Sequence, residues 1–165
     1  ASQIRMLKTI IPEEIEAKDF ADDKLADGLR MLSEDENWEQ IEGLLSERII
    51  RTYKLEKPAI RLDSTSCTVY HDTEGKELIS YGYSKDHRPD LAQFKVMLAT
   101  LDPMGLQLAT MCIEGKDADD GLYIPTIEKI QRVLGKGGQL YVGDSKMAAN
   151  PNFSQIAKKK PLGIV

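Results

Sequence analysis

The sequence predicts an α/β fold with a mixed sheet, preceded by a small helical hairpin. Apolar residues recur at helical spacing between residues 22 and 53, and β-branched and apolar runs follow from residue 59. A second helical stripe then precedes a short apolar strand near residue 140. We therefore divide the 165 residues into an N-terminal helical region at 1–57, a core at 58–150 and a tail at 151–165.

The N-terminal region carries two amphipathic patterns. Leu25, Leu29 and Leu32 lie on one helical face, and Ser33 with Glu36 forms a capping-box sequence that begins a second helix. The second helix has its own apolar face, made of Trp38, Ile41, Leu45 and Ile49. We interpret residues 22–53 as the helical hairpin.

The core contains a strand, a hairpin, a helix and a further strand, in that order. Residues 59–70 are rich in β-branched side chains, and residues 94–101 and 106–113 are apolar stretches separated by a Pro- and Gly-containing turn. A helical stripe over 122–134 ends in a glycine-rich segment, and a short strand at 139–144 ends in an aspartate.

Asn150-Pro151-Asn152 predicts a break at the boundary between the core and the tail. The tail then contains a basic run at 158–160. We expect this tail to be solvated.

Composition excludes several classes of protein. No apolar run approaches the roughly 18 residues that span a bilayer, so no membrane partner is expected. Two cysteines and two histidines are too few for a typical zinc site. The formal net charge of −5 argues against a nucleic-acid binder, although all of it belongs to the first 60 residues and the remainder is balanced.

Two aspartates occupy positions in the strand pattern that suggest a functional site. Asp63 lies inside a strand pattern, where aspartate is disfavoured, and Asp144 ends another strand. If the two strands are adjacent, their carboxylates converge and could share a divalent cation that promotes phosphoryl transfer. The alternative is that Asp63 makes a local hydrogen bond and Asp144 caps a helix beginning near Ser145.

The polar cluster at residues 82–91 reads GYSKDHRPDL and resembles a sequence block of bacterial insertion-sequence DDE transposases. Residues 61–65 and 140–147 are similar to the two strands that carry the catalytic aspartates in that family. Gly115 and Asp119 resemble the glycine and aspartate of the family's G-x-x-x-[AS]-D segment, with one residue fewer between them in this chain. Residues 22–25 resemble the start of the family's upstream helical region.

This resemblance implies a ribonuclease H-like catalytic core and DNA transposition, by metal-dependent cleavage and joining at transposon ends. Asp63 and Asp144 would be catalytic and would bind Mg²⁺ or Mn²⁺. The family's third acid, a glutamate, lies beyond the second aspartate and is not found in this chain. We therefore expect an incomplete core, a truncated fragment with little or no strand-transfer activity by itself.

The resemblance also implies partners and a location. Lys85, His87 and Arg88 would serve as DNA-binding residues, although Arg88 could instead pair with a carboxylate. The full-length form would be a homo-oligomer on DNA in the bacterial cytoplasm, associated with the nucleoid. Two alternatives stay open: a non-catalytic DNA-binding or dimerising remnant, and a metal-dependent nuclease of the same fold. The nuclease would require a third acid, such as Glu114, Asp117 or Asp119, beside Asp63 and Asp144.

Overall fold

The chain folds into two compact units, Ala1–Ile41 and Glu42–Val165. The computed structural model describes residues 16–56, 59–83, 87–135, 138–148, 150–158 and 163–164. The division falls within a helix, earlier in the chain than the boundary after residue 57 that the sequence pattern suggests.

The first unit is helical. A short 3-10 helix at Ala17–Phe20 is followed by α1 at Asp22–Ser33, and α2 at Asp35–Tyr53 begins in this unit and continues into the second. The two predicted helices are therefore confirmed. Every side chain of α1 is exposed, including the predicted stripe of Leu25, Leu29 and Leu32.

The packing of these apolar faces into a hairpin stays a prediction. Glu34 alone separates α1 from α2.

The second unit contains a mixed five-stranded sheet in the order β3-β2-β1-β4-β5. The strands are β1 at Ala59–Val69, β2 at Ala92–Leu101, β3 at Leu106–Glu114, β4 at Leu140–Val142 and β5 at Gly163–Ile164. The first three form an antiparallel meander, whereas β4 pairs in parallel with both β1 and β5. The predicted α/β class with a mixed sheet is therefore confirmed.

One face of this sheet is covered by a helix that follows β3. A 3-10 helix at Asp119–Leu122 leads directly into α3 at Tyr123–Leu134, as the apolar stripe predicts. Gly135 ends α3 with a positive φ of 87°, a conformation that glycine adopts without steric cost. The fully buried core combines strand and helix residues: Ile60, Leu62, Met97, Leu101, Leu108, Ile127, Ile130, Tyr141 and Ile156.

The predicted tail is largely part of the core unit, which corrects the expected break at residues 150–152. Helix α4 spans Asn150–Lys158, and β5 adds an edge strand beside β4. A proline is tolerated in the first helical turn because its missing N–H would have no partner there. The side chain of Ile156 is fully buried, and Asn152 Nδ2 donates to the Asp120 carbonyl at 2.9 Å. These tertiary contacts, which local sequence does not reveal, fix the helix.

None of the helices in the described ranges combines the length and the apolar character that a membrane crossing requires.

The C-terminal part of α2 is joined to β3 through a buried carboxyl group. Glu42 is 6% exposed, and its Oε1 accepts hydrogen bonds from Thr110 Oγ1 at 2.7 Å and Gln107 Nε2 at 3.0 Å. Ser46, one turn later, is also buried and donates to the backbone carbonyl of Gln107. The polar contacts therefore specify which face of α2 meets the strand.

We expect Glu42→Ala to lower the free energy of unfolding by about 1–2 kcal/mol, because the partly exposed donors Thr110 and Gln107 lose a buried acceptor. Urea denaturation of the full chain measures the change. Glu47→Ala, an exposed position on the same helix, is the matched control and should leave the unfolding midpoint unchanged. Equal stability of the Glu42→Ala variant and the unaltered chain would contradict this role.

Candidate functional site

The two aspartates singled out in the sequence belong to neighbouring parallel strands in different ways: Asp63 lies within β1, and Asp144 follows β4. Ile60 pairs with Tyr141 and Arg61 with Val142, and Asp63 and Asp144 each lie two residues beyond this last pair. Neighbouring strands are about 4.8 Å apart. Both aspartates therefore follow the same end of the β1–β4 ladder, and the charges of both raise the pKa of Tyr123.

Asp63 belongs to the exposed face of β1. Along this strand Ile60, Leu62 and Ser64 are buried, whereas Arg61 and Asp63 are exposed. The alternation explains how a strand interior accommodates an aspartate, since its carboxylate stays in contact with solvent.

Asp144 lies two residues beyond the end of β4, where the chain turns. Its Oδ1 accepts hydrogen bonds from the Tyr123 hydroxyl at 2.5 Å and from the backbone N–H of Lys146 at 3.0 Å. The Met147 N–H donates to the Asp144 carbonyl, and residues 145–148 form a turn. Asp144 thus caps a turn, and the helix that the alternative interpretation began near Ser145 begins instead at Asn150.

Asp119 connects the two strands from the helical side. It is 5% exposed, and its Oδ2 accepts a hydrogen bond from Ser64 Oγ at 2.6 Å. Its Oδ1 pairs with Lys146 Nζ, also at 2.6 Å. Because Ser64 follows Asp63 and Lys146 lies two residues after Asp144, one buried carboxylate contacts a neighbour of each candidate aspartate.

The electrostatics of this group of residues are dominated by acids. Burial raises the pKa of Tyr123, and so do its hydrogen bond to Asp144 and the charges of Asp144, Asp119 and Asp63. The hydrogen bond to Asp119 raises the pKa of Lys146, so its ammonium stays charged at neutral pH. Tyr123 is therefore held as a neutral hydroxyl donor to Asp144.

For Asp119 two effects oppose each other. Burial disfavours the charged carboxylate, but the hydrogen bonds from Lys146 and Ser64, together with the charge of Lys146, outweigh it. The net result is a pKa of about 2. Asp119 is therefore ionised throughout the physiological range.

Two glycines of the motifs pack backbone against backbone beside this network. A Cβ atom on Gly82 would lie 2.7 Å from both the Gly115 carbonyl oxygen and Lys116 Cα. A Cβ atom on Gly115 would collide with the carbonyl oxygens of Gln93 and Ser80. These two residues form an isolated antiparallel β-bridge. Both positions need glycine because of close approach.

The predicted DNA-binding residues are only partly described. Lys85 lies outside the described residues, as do Ser84 and Asp86 of the same block. His87 is exposed with a positive φ of 56°, and exposed Arg88 makes a two-point ion pair with Asp90, with N–O distances of 2.9 and 2.8 Å. The hydrogen bond to Asp90 raises the pKa of Arg88. The ion pair matches the alternative in which Arg88 pairs with a carboxylate, and DNA binding by these residues stays a prediction.

The donor chemistry of Asp63 and Asp144 fits a divalent cation. Mg²⁺ is commonly held by one or two carboxylates, with water and phosphate completing its coordination. Within the described ranges no group of three or more His, Cys, Asp or Glu side chains could hold a metal ion. Asp119, which the nuclease alternative named as a third acid, is instead engaged by Ser64 and Lys146.

Sequence reasoning missed the parts played by Tyr123, Ser64 and Lys146. A tyrosine at the start of an amphipathic helix is ordinary core composition, and a serine in a strand has no distinctive pattern. Lys146 was part of a matched motif, but nothing local indicates that its partner is Asp119, 27 residues earlier. The one available signal was polarity in the strand interior, since Ser64 interrupts an apolar alternation.

We expect Gly115→Ala to destabilise the chain by about 1–3 kcal/mol, because the added methyl group requires backbone to move. Thermal unfolding of the variant and the unaltered chain measures the loss of stability. Gly121→Ala is the matched control, since a Cβ atom there meets nothing within 4 Å. A Gly115→Ala variant with the same melting temperature as the unaltered chain would show that the close approach is not required.

We expect the stability difference between the unaltered chain and Asp119→Asn to shrink as the pH falls. The folded pKa of about 2 lies below the unfolded value of about 3.9. The stabilisation is therefore complete above roughly pH 5 and is lost as the pH falls towards 2. Denaturant unfolding of both proteins from pH 7 to pH 2 measures the difference. A gap that stays constant over this range would contradict an ionised Asp119.

No family model matches the chain, and no curated protein or solved structure matches it. Any assignment of function therefore depends on the residues of this chain and on the resemblance of its motifs.

Proposed function

We propose that the chain carries a ribonuclease H-like core of a DDE transposase, with Asp63 and Asp144 as its metal-binding aspartates. In this proposal it acts on DNA by metal-dependent phosphoryl transfer at transposon ends. The cation is Mg²⁺ or Mn²⁺, and Lys85, His87 and Arg88 contribute to DNA contact.

The observation that carries the proposal is the parallel pairing of β1 and β4, in which Asp63 and Asp144 each lie two residues beyond the last pair. Two carboxylates at one strand end repel each other unless a cation or protons neutralise them. Strand ends are also where polar groups from several elements can meet without disturbing an apolar core.

The meeting of separate motifs gives further support. Gly82 of the residue 82–91 block packs on Gly115. Asp119, from the same segment as Gly115, contacts Ser64 of β1 and Lys146 of the turn after β4. Four stretches that resemble one family, scattered over the core sequence, thus contact one another in pairs near one end of the sheet.

Each residue has a chemical part in this proposal. Asp63 and Asp144 hold the cation, and Tyr123 orients the Asp144 carboxylate by donating to its Oδ1. A divalent cation held there would supply an activated water and stabilise charge on the transferring phosphoryl group. Asp144 retains its second oxygen, Oδ2, for a ligand, because both described donors bind Oδ1.

We expect the chain to bind Mn²⁺ at one site, and we expect Asp63→Asn and Asp144→Asn each to weaken binding more than about tenfold. Electron paramagnetic resonance of free Mn²⁺ during a titration measures the affinity. Asp120→Asn, an exposed position beside Asp119, is the control for a general loss of negative charge and should keep the affinity.

A second measurement tests the link to DNA. Fluorescence anisotropy should show tighter binding of duplex DNA in the presence of Mn²⁺, with the gain lost in Asp63→Asn. DNA binding that is the same with and without metal, and unchanged in Asp63→Asn, would contradict the proposal and support the non-catalytic DNA-binding alternative.

A further inference from the structure

We propose that Asp119 is a positioning residue that keeps the Lys146 ammonium group off the Asp144 carboxylate. The inference rests on the proposed function, since it assigns Asp144 to a cation. It adds a part for two residues that do not themselves bind the cation.

Lys146 is placed where it could compete with a cation. Its backbone N–H already donates to Asp144 Oδ1 at 3.0 Å, so its side chain starts beside that carboxylate. The lysine side chain is 42% exposed, which leaves it room to reorient. A lysine ammonium paired with Asp144 would neutralise the carboxylate and occupy an oxygen that the cation needs.

Asp119 prevents this by offering a better-fixed partner. Its Oδ1 lies 2.6 Å from Lys146 Nζ, and its Oδ2 is anchored by Ser64 Oγ at 2.6 Å. With both oxygens engaged and 5% of the residue exposed, the Asp119 carboxylate has little freedom to follow a moving lysine. The backbone of Lys146 is also held, because Asn152 Nδ2 donates to its carbonyl at 3.3 Å.

Stability alone gives a poor account of this arrangement. Burying a carboxylate costs desolvation energy, which the contacts of Asp119 with Ser64 and Lys146 have to offset. Well-packed apolar residues often serve as well or better in such places. A positioning role explains why the charge is retained next to Asp144.

The test compares Mn²⁺ affinity across a double-mutant cycle in the full chain. Asp119→Ala frees Lys146 and should weaken Mn²⁺ binding about tenfold, the lower end of what loss of a residue supporting a metal ligand costs. Lys146→Met alone should leave the affinity within about threefold of the unaltered chain. The double variant Asp119→Ala/Lys146→Met should recover that affinity, because no ammonium is left to compete.

The recovery separates positioning from a general structural role. Glu42→Ala, which also removes a buried carboxyl with two side-chain donors, is the matched control and should reduce stability without changing Mn²⁺ affinity. Asp119→Asn keeps the side-chain shape and replaces Asp119→Ala if that variant folds poorly. It should show the same loss of Mn²⁺ affinity, and the same recovery when combined with Lys146→Met. A double variant that binds Mn²⁺ no better than the single Asp119 variant would overturn the proposal.

A metal-free measurement keeps this inference distinct from the proposed function. NMR correlations between the Lys146 ammonium and carboxyl carbons should report Asp119 in the unaltered chain and Asp144 in Asp119→Asn. If the unaltered chain binds no Mn²⁺, the proposed function fails while this switch of partner can still be observed. A Lys146 ammonium that does not move to Asp144 in the variant would refute the positioning role.

Discussion

The parallel pairing of β1 with β4 is the interaction on which the core unit depends. It joins residues 59–61 to residues 140–142 through a ladder of three residue pairs. Parallel neighbours need a crossover connection, and here the connection contains the β2–β3 hairpin and α3. So short a ladder cannot hold by its own hydrogen bonds. The burial of Ile60 and Tyr141, which pair across it, supplies apolar stabilisation.

The buried face of the sheet changes character along its strands. On β1 the inward residues run from Ile60 and Leu62 to Ser64 and Ser66, and on β2 they run from Leu101 back to Lys95 and Gln93. The polar ends lie side by side, since Ser66 pairs with Lys95. This end of the sheet is also the end where β1 passes Asp144.

That polarity is costly. The Ser66 hydroxyl and the Gln93 side-chain amide are buried without a hydrogen-bond partner in the described part of the chain, and each unsatisfied group costs about 1–3 kcal/mol. A sequence selected for stability alone would fill these positions with apolar side chains. Local departures from that rule are typical of sites kept for function.

Much of the core could be predicted because its signals are local. Alternation over residues 59–69, the turn between β2 and β3, and the stripe closed by Gly135 are each contained within one element. The errors arose where tertiary contacts decide. Burial of Ile156 makes a helix of a segment that begins like a break.

The two aspartates of the candidate site could be predicted from local sequence, but the contacts of Asp119 could not. Asp63 stands out because aspartate is unusual inside a strand, and Asp144 because it closely follows a short apolar strand. The Asp119 contacts join residues 55 and 27 positions apart, and no periodicity carries that information. A motif resemblance can mark Asp119 as special, but its partners become known only when the fold brings the three segments together.

The negative charge of the site bears on the order in which a cation and DNA would bind under the proposed function. The acidic groups that raise the pKa of Tyr123 are Asp144, Asp119 and Asp63, and the described cation among them, Lys146, is already paired with Asp119. An acidic strand end repels a phosphate backbone, so balance in the overall charge of the core sequence does not by itself create a DNA site. Under the proposed function a divalent cation must therefore bind before, or together with, the DNA. This order also explains why Lys146 is held on Asp119: a lysine that neutralised Asp144 would reduce the repulsion of DNA while removing the ligand that the chemistry requires.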